Sequence, residues 1–173
     1  MEKINTGFTA YLQETYEIMG KIGLLLVSGD TGSSNVMAIG WGTAGIIWGK
    51  PIFIVLVRPS RYTFGFIEKK GEFTVNVPTQ DMEEIVTFCG STSGRDRNKF
   101  KEKNLTVLPA KKVVSPIIKE CRIFYECRVV HKNNVIPAEL APDIPPDFYP
   151  QGDYHRVYFG EILAAYKNKQ KFL

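Results

Sequence analysis

The sequence predicts a mainly β protein, a β-barrel with peripheral helices, on three observations. Residues 23–28, 52–57, 72–77, 121–131 and 156–166 alternate in polarity or run continuously β-branched and aromatic. Helical spacing of apolar residues is confined to short segments between them. The connections read as turns, not as the strand–helix–strand crossovers of a parallel sheet.

Taken in order, Phe8, Tyr11, Leu12, Tyr16 and Met19 have the spacing of a helix, with Gly20 as its cap. Residues 23–28 and 35–41 read as two strands joined through GDTGSS (29–34), a hairpin. GWGTAG (40–45) reads as a loop. Residues 52–57 form a strand buried on both faces, which Pro59 stops. Ser60 is expected to cap a helix over 61–70, closed by Gly71. A strand over 72–77 follows, then a helix opened by Thr79 and Asp81 and running through Phe88, then a short helix near 96–103. The final two strands, 121–131 and 156–166, flank an excursion at 137–150. That excursion holds five of the ten prolines and reads as neither helix nor sheet. No repeat or linker divides the chain, so residues 1–173 form a single domain.

Composition narrows the function classes. An apolar fraction of 44% and a charged fraction of 23% are those of an ordinary globular protein. The N-terminal residues 1–5 lack the apolar core of a secretion signal, and no apolar run is long enough to span a bilayer, so a soluble cytoplasmic protein with no membrane partner is expected. Cys89, Cys121 and Cys127 are odd in number and lack framework spacing, which suits reduced thiols. The pattern C-x5-C-x3-H at 121–131 lacks the paired short spacings of a zinc site, so no metal is expected. The net charge of +4 is concentrated. Arg95, Arg97, Lys99, Lys101 and Lys103 outweigh Asp96 and Glu102, and Lys167, Lys169 and Lys171 add to the tail. That clustering suits a small anion better than a nucleic acid, whose binders carry a basic stripe lined with stacking aromatics.

Individual motifs divide into weak and strong. GWGTAG matches the dinucleotide fingerprint G-x-G-x-x-G, but no helix follows to cap a pyrophosphate. His131 and His155 lie at strand ends with no nucleophile motif beside them. Cys89, near Arg95 and a helix end, is either activated or simply packed. Trp41 and Trp48 are either core or faces for a planar ligand. Two clusters carry more. RPSRYT (58–63) sets two guanidinium groups and hydroxyls at a strand-to-helix junction, where free N–H groups favour an anion. FCGSTSGRDRNKF (88–100) joins small residues, hydroxyls and cations in one loop, read either as a surface turn or as an anion site.

NVMAIGW (35–41), VRPSRYT (57–63), GEFTVNVP (71–78), the run at 88–100 and HRVYFGE (155–161) occur in an order that resembles the flavoredoxin-like branch of the flavin reductase family, over roughly residues 20–166. The resemblance implies the FMN-binding split barrel, a Greek-key β-barrel, working as a homodimer with FMN near the subunit interface. It gives the phosphate to Arg58, Ser60, Tyr62 and Thr63, with Lys99 as a second cation. Backbone groups of Asn35, Val36, Met37, Cys89 and Gly90 would meet the ring edge, and Trp41 would pack near it. Gly90, Ser93 and Gly94 would let main chain approach, and His155 matches a position close to the flavin. Trp48 and Ile46–Ile47 replace small polar residues of relatives and would narrow the entrance. The excursion at 137–150 would lid the site or cover the dimer partner. The implied activity is oxidation of NAD(P)H with electrons passed through FMN to an acceptor, with no acid or base residue required. The alternative is a non-enzymatic FMN carrier between protein partners.

Overall fold

In the computed structural model of the chain, residues 7–168 are described. The N-terminal reading of residues 1–5 and the lysines Lys169 and Lys171 lie outside the described residues. Seven strands form one antiparallel sheet: β1 (Leu24–Gly29), β2 (Ser34–Ile39), β3 (Gly42–Ile47), β4 (Lys50–Val57), β5 (Glu72–Val77), and the long pair β8 (Ile123–Asn134) and β9 (Arg156–Lys167). Between β5 and β8 the short strands β6 (Val107–Leu108) and β7 (Ile117–Ile118) make a separate two-stranded ribbon. The order across the large sheet is β2-β1-β5-β8-β9-β4-β3. The chain passes from β4 to β5 across the width of β8 and β9, the long connection of a Greek key.

The two edge strands are β2 and β3, yet only Gly40 and Trp41 separate them in sequence. Two residues reach about 7 Å. The sheet must therefore curl until its edges meet, which makes a barrel left open along one seam. Register shifts in β8–β9 between Glu126 and Cys127, and between Val129 and His131, supply the bending. Gly160 completes it: a Cβ there would sit 2.4 Å from Phe73 Cζ and 2.8 Å from Cys127 Cβ.

Burial follows the period of two. Leu24, Leu26, Phe53, Val55, Phe73, Val75, Tyr125 and Tyr158 fill the barrel, whose open end is packed by the helix α1 (Leu12–Lys21) and the 3₁₀ turn Gly7–Tyr11. Leu25, Val27, Val36 and Phe124 point the other way, into a second core under the helix α3 (Glu83–Ser91) and the β6–β7 ribbon. Strand β1 is thus buried on both faces because each face has its own core. Helix α2 (Tyr62–Lys70) ends at Gly71, whose φ of 65° is left-handed. Glu68 of α2 takes hydrogen bonds from Lys132 and Tyr158 and an ion pair from Arg156, fastening the helix to β8 and β9.

Several expectations are corrected. The stretch at 40–45 is not a loop, because most of it is the edge strand β3. It turns into β4 through Trp48 and Gly49, with φ of 53° and 68°, the pair of left-handed residues a two-residue hairpin needs. Gly20 does not cap α1 but lies inside it. Ser60 does not cap α2: Arg61 stands at the N-cap and no side chain bonds the first turn. The excursion at 137–150 is not without helix, for it contains the single-turn α5 (Ile144–Phe148). Pro145 and Pro146 sit in its first turn, where a missing N–H costs nothing. The short helix near 96–103 is α4 (Lys99–Glu102).

Close packing at Gly160 and open space at Gly20 predict opposite signs for one substitution. Gly160→Ala should lower the unfolding free energy by about 2 kcal/mol or more. Gly20→Ala, with nothing within 4 Å of its Cβ, should raise it by about 0.5–1 kcal/mol. Urea titration of the two variants beside the parent checks both.

Candidate cofactor site

A cavity of about 370 Å³ opens at the seam, where β2, the Gly40–Trp41 link, the end of β4, the start of α2 and the end of α3 converge. Every residue expected at the site borders it except Val36. Val36 instead points into the second core, and its carbonyl is taken by Lys99. Ala38, Ile39, Gly40, Leu56, Arg61 and Arg95 border the cavity without having been expected there. Arg61 and Arg95 were visible in the two cationic motifs. The apolar residues gave no signal apart from their neighbours.

Arg95 and Gly94 bring the two sequence clusters together, with Asn35 of β2 packed between them. Arg95 donates to the Ser60 carbonyl at 2.9 Å and lies 5.3 Å over the Tyr62 ring. Asn35 donates to the Thr63 hydroxyl at 2.7 Å within the protein interior. Gly94 runs so close over this pair that a Cβ would fall 2.0 Å from Asn35 Oδ1 and 2.9 Å from Tyr62 Cδ1. Gly90 sits over Ala38 in the same manner, 3.1 Å from Cβ to Cβ. The small residues of 88–100 let one loop close onto strand β2 and the start of α2.

Lys99 sets the electrostatics. It opens α4, is only 4% exposed, and borders the cavity. Its ammonium donates to the carbonyls of Val36 at 2.8 Å and Cys89 at 2.7 Å. Among the described ion pairs no carboxylate joins it. An ammonium has three donors, so one remains. Burial lowers the Lys99 pKa, and Arg61 acts in the same direction. The same burial raises Cys89 to about 11, so it is a packed thiol rather than an activated one. Of the backbone groups expected to meet a ring edge, the carbonyls of Val36 and Cys89 are bound by this lysine.

On the other wall Trp41, 42% exposed, packs against Phe148 and His155 at centroid distances of 5.2 and 5.1 Å. The two tryptophans differ in place. Trp48 stands 61% exposed at the β3–β4 turn against His131 and Phe159, and neither it nor Ile46–Ile47 borders the cavity or narrows its entrance. His155 is 8% exposed, its Nδ1 is 2.7 Å from the Tyr149 hydroxyl, and its pKa falls to about 4 through burial first and the nearby Arg58 second. It is neutral at pH 7. Arg58 borders the cavity but its guanidinium donates to the carbonyls of Phe148, Gly152 and Asp153. Ser60 is likewise engaged, its amide and hydroxyl bonding the Asp153 carboxylate.

The site therefore combines small-residue main chain, a helix start, an aromatic wall and four cations free of carboxylate partners among the described ion pairs: Arg58, Arg61, Arg95 and Lys99. The flavin reductase-like domain model matches residues 21–172. The chain belongs to the flavin reductase-like family. A protein of Archaeoglobus fulgidus is 40% identical over 139 residues, covering 80% of this chain and 68% of the relative. The flavoredoxin of Methanosarcina acetivorans superposes with a TM-score of 0.67 at 29% identity, over 88% of this chain and 72% of that one. An FMN-binding protein from Thermus thermophilus shares the fold, with a TM-score of 0.65 at 20% identity, over 84% and 69%. The likeness to the flavoredoxin supports the flavoredoxin-like branch of this family, whose chemistry is flavin-related oxidoreduction or electron transfer. Among the described residues no helix is long and apolar enough to cross a membrane, and no group of His, Cys, Asp or Glu is placed to hold a metal.

His155 gives a pH dependence. Its pKa of about 4 in the fold lies below the ordinary 6.5, so between these values the unfolded chain binds more protons. Its contribution to stability is complete above about pH 6.5 and is lost as pH falls toward 4. His155→Gln should flatten the slope of unfolding free energy across that window, measured by urea titration at half-unit steps.

Proposed function

We propose that the cavity holds FMN and that the protein is an NAD(P)H-dependent flavin reductase or flavoredoxin-like oxidoreductase. The observation that carries this reading is Lys99, a buried cation facing the cavity with only neutral partners. Such a charge is costly unless an anion completes it. A flavin phosphate bearing nearly two negative charges is of the right size and sign, and Arg61, Arg95, Thr63 and the uncapped start of α2 surround the same space. Trp41 and the main chain at 90–94 supply apolar and close-approach surface for a flat ring.

Bound there, FMN supplies hydride acceptance and electron transfer, which the side chains cannot perform. The chain's own residues bind and orient. Gly90 and Gly94 admit main chain, Lys99 and Arg95 fix the anion, and Trp41 with Phe148 shields one side from water. No side chain has to move a proton: His155 is neutral and spoken for by Tyr149, and burial keeps the Cys89 thiol protonated. Family membership supports reduced nicotinamide as the donor in this reading, with a separate electron acceptor. A homodimer is part of the same reading. Helices α2 and α3 pack over β1 and β2, while the β3–β4 hairpin presents Ile46 at 48% and Trp48 at 61% exposure, apolar surface that a second copy would cover.

The likeness to a flavoredoxin favours a second reading, an FMN carrier that exchanges electrons with proteins rather than with nicotinamide. An absorption spectrum of the purified protein, repeated anaerobically with NADH and with NADPH, separates them. Prompt bleaching of a flavin band supports the reductase. A flavin that stays oxidised favours the carrier, and a colourless protein unable to take up FMN removes both. Lys99→Met should weaken FMN by about tenfold or more while riboflavin changes little, read by fluorescence quenching.

A further inference from the structure

Asp153, in the strap between β8 and β9, has a φ of 55°, a left-handed conformation that few residues other than glycine, Asn and Asp adopt. That conformation carries its carboxylate onto the loop ahead of α2. Oδ2 accepts the Ser60 hydroxyl at 2.5 Å and Oδ1 the Ser60 amide at 3.3 Å. Arg58 holds the strap in register through the carbonyls of Phe148, Gly152 and Asp153.

Ser60 also borders the cavity, beside Arg61 and next to the Arg95 guanidinium that donates to its carbonyl. An amide and a hydroxyl at a helix start, flanked by cations, are the donors a phosphate monoester takes. Here a carboxylate has taken them. One pair of donors cannot serve both anions, and two anions in this space repel.

We propose that Asp153 is a built-in competitor for the phosphate of the bound ligand. Resting on the flavin reading of the cavity, the proposal adds what sets affinity. The phosphate reaches Ser60 only when the Asp153 side chain swings away. Asp153 thereby fixes how readily the phosphorylated ligand exchanges, and loosens the strap when that ligand is in place. The penalty falls on FMN and not on riboflavin, which has no phosphate to compete.

The test measures dissociation constants of FMN and riboflavin for the parent chain, Asp153→Asn and Asp153→Gly. Asn and Gly both accept the left-handed backbone, and the glycine variant serves if the asparagine one fails to fold. Removing the charge should tighten FMN about tenfold or more and leave riboflavin within about twofold. Unchanged or weaker FMN binding would mean that Asp153 only fastens the strap, and would overturn the proposal. A second readout does not depend on flavin: inorganic phosphate should raise the melting temperature of the variants more than that of the parent. If neither flavin binds any of the proteins yet this phosphate difference is seen, the flavin reading fails while the competition stands. Equal phosphate effects in parent and variants would overturn the competition itself.

Discussion

The two-residue connection between β2 and β3 is the constraint from which the rest follows. These strands are opposite edges of a seven-stranded sheet, and Gly40 and Trp41 cannot bridge them unless the sheet closes on itself. Closure demands bends, which the irregular pairing of β8 with β9 and the missing side chain at Gly160 provide. Closure also leaves a seam, because β2 and β3 meet without pairing. The cavity forms at that seam, and the linking residues themselves are part of its wall.

What the seam then holds is charge. Lys99 spans the junction by donating to a strand carbonyl on β2 and to a helix carbonyl on α3, so one ammonium ties the barrel to its outer layer. That arrangement is a poor way to gain stability, since the lysine is desolvated with no carboxylate to offset the cost. It is a good way to keep a positive charge at a fixed point in the cavity wall, where the lysine is shielded from water and a bound anion feels it strongly. His155 and Cys89 complete the pattern with the opposite outcome. Burial keeps each neutral, so neither adds to nor offsets the field of the cations.

Much of this was legible in the sequence. Strand 72–77 and the Gly71 that closes the helix before it carry an unambiguous period and turn, and the bounds agree. The site residues were legible for a different reason: small residues, hydroxyls and cations clustered with no fold requirement to explain them. Edge strand β3 was not legible. Its glycines and its half-exposed faces leave no alternation to read, and the G-x-G-x-x-G spacing imitates a loop. The β6–β7 ribbon is too short, at two residues per strand, for any period to show. Ser60 misled because its local chemistry is that of a cap, while its actual partner lies 93 residues away. Val36 misled because alternation sends its side chain to the second core and leaves only its carbonyl near the site.

The strap after β8 explains why cationic residues of one motif have different tasks. Arg58 and Arg61 are separated by two residues, but Arg58 ends a strand beside the strap and Arg61 begins a helix beside the cavity. The carbonyls of Phe148, Gly152 and Asp153 are neutral, so Arg58 retains its charge while being fixed in place. It lies 4.9 Å over the Tyr149 ring, and Tyr149 in turn holds His155 against Trp41. Positioning of the aromatic wall therefore runs through a guanidinium that contributes to the cavity mainly by its field. A ligand that shifts the strap would act on that chain of contacts at once, from Arg58 to Trp41. In this fold the proline-rich excursion at 137–150 is part of the site's framework, although none of its residues borders the cavity and the chain reaches that surface only at His155.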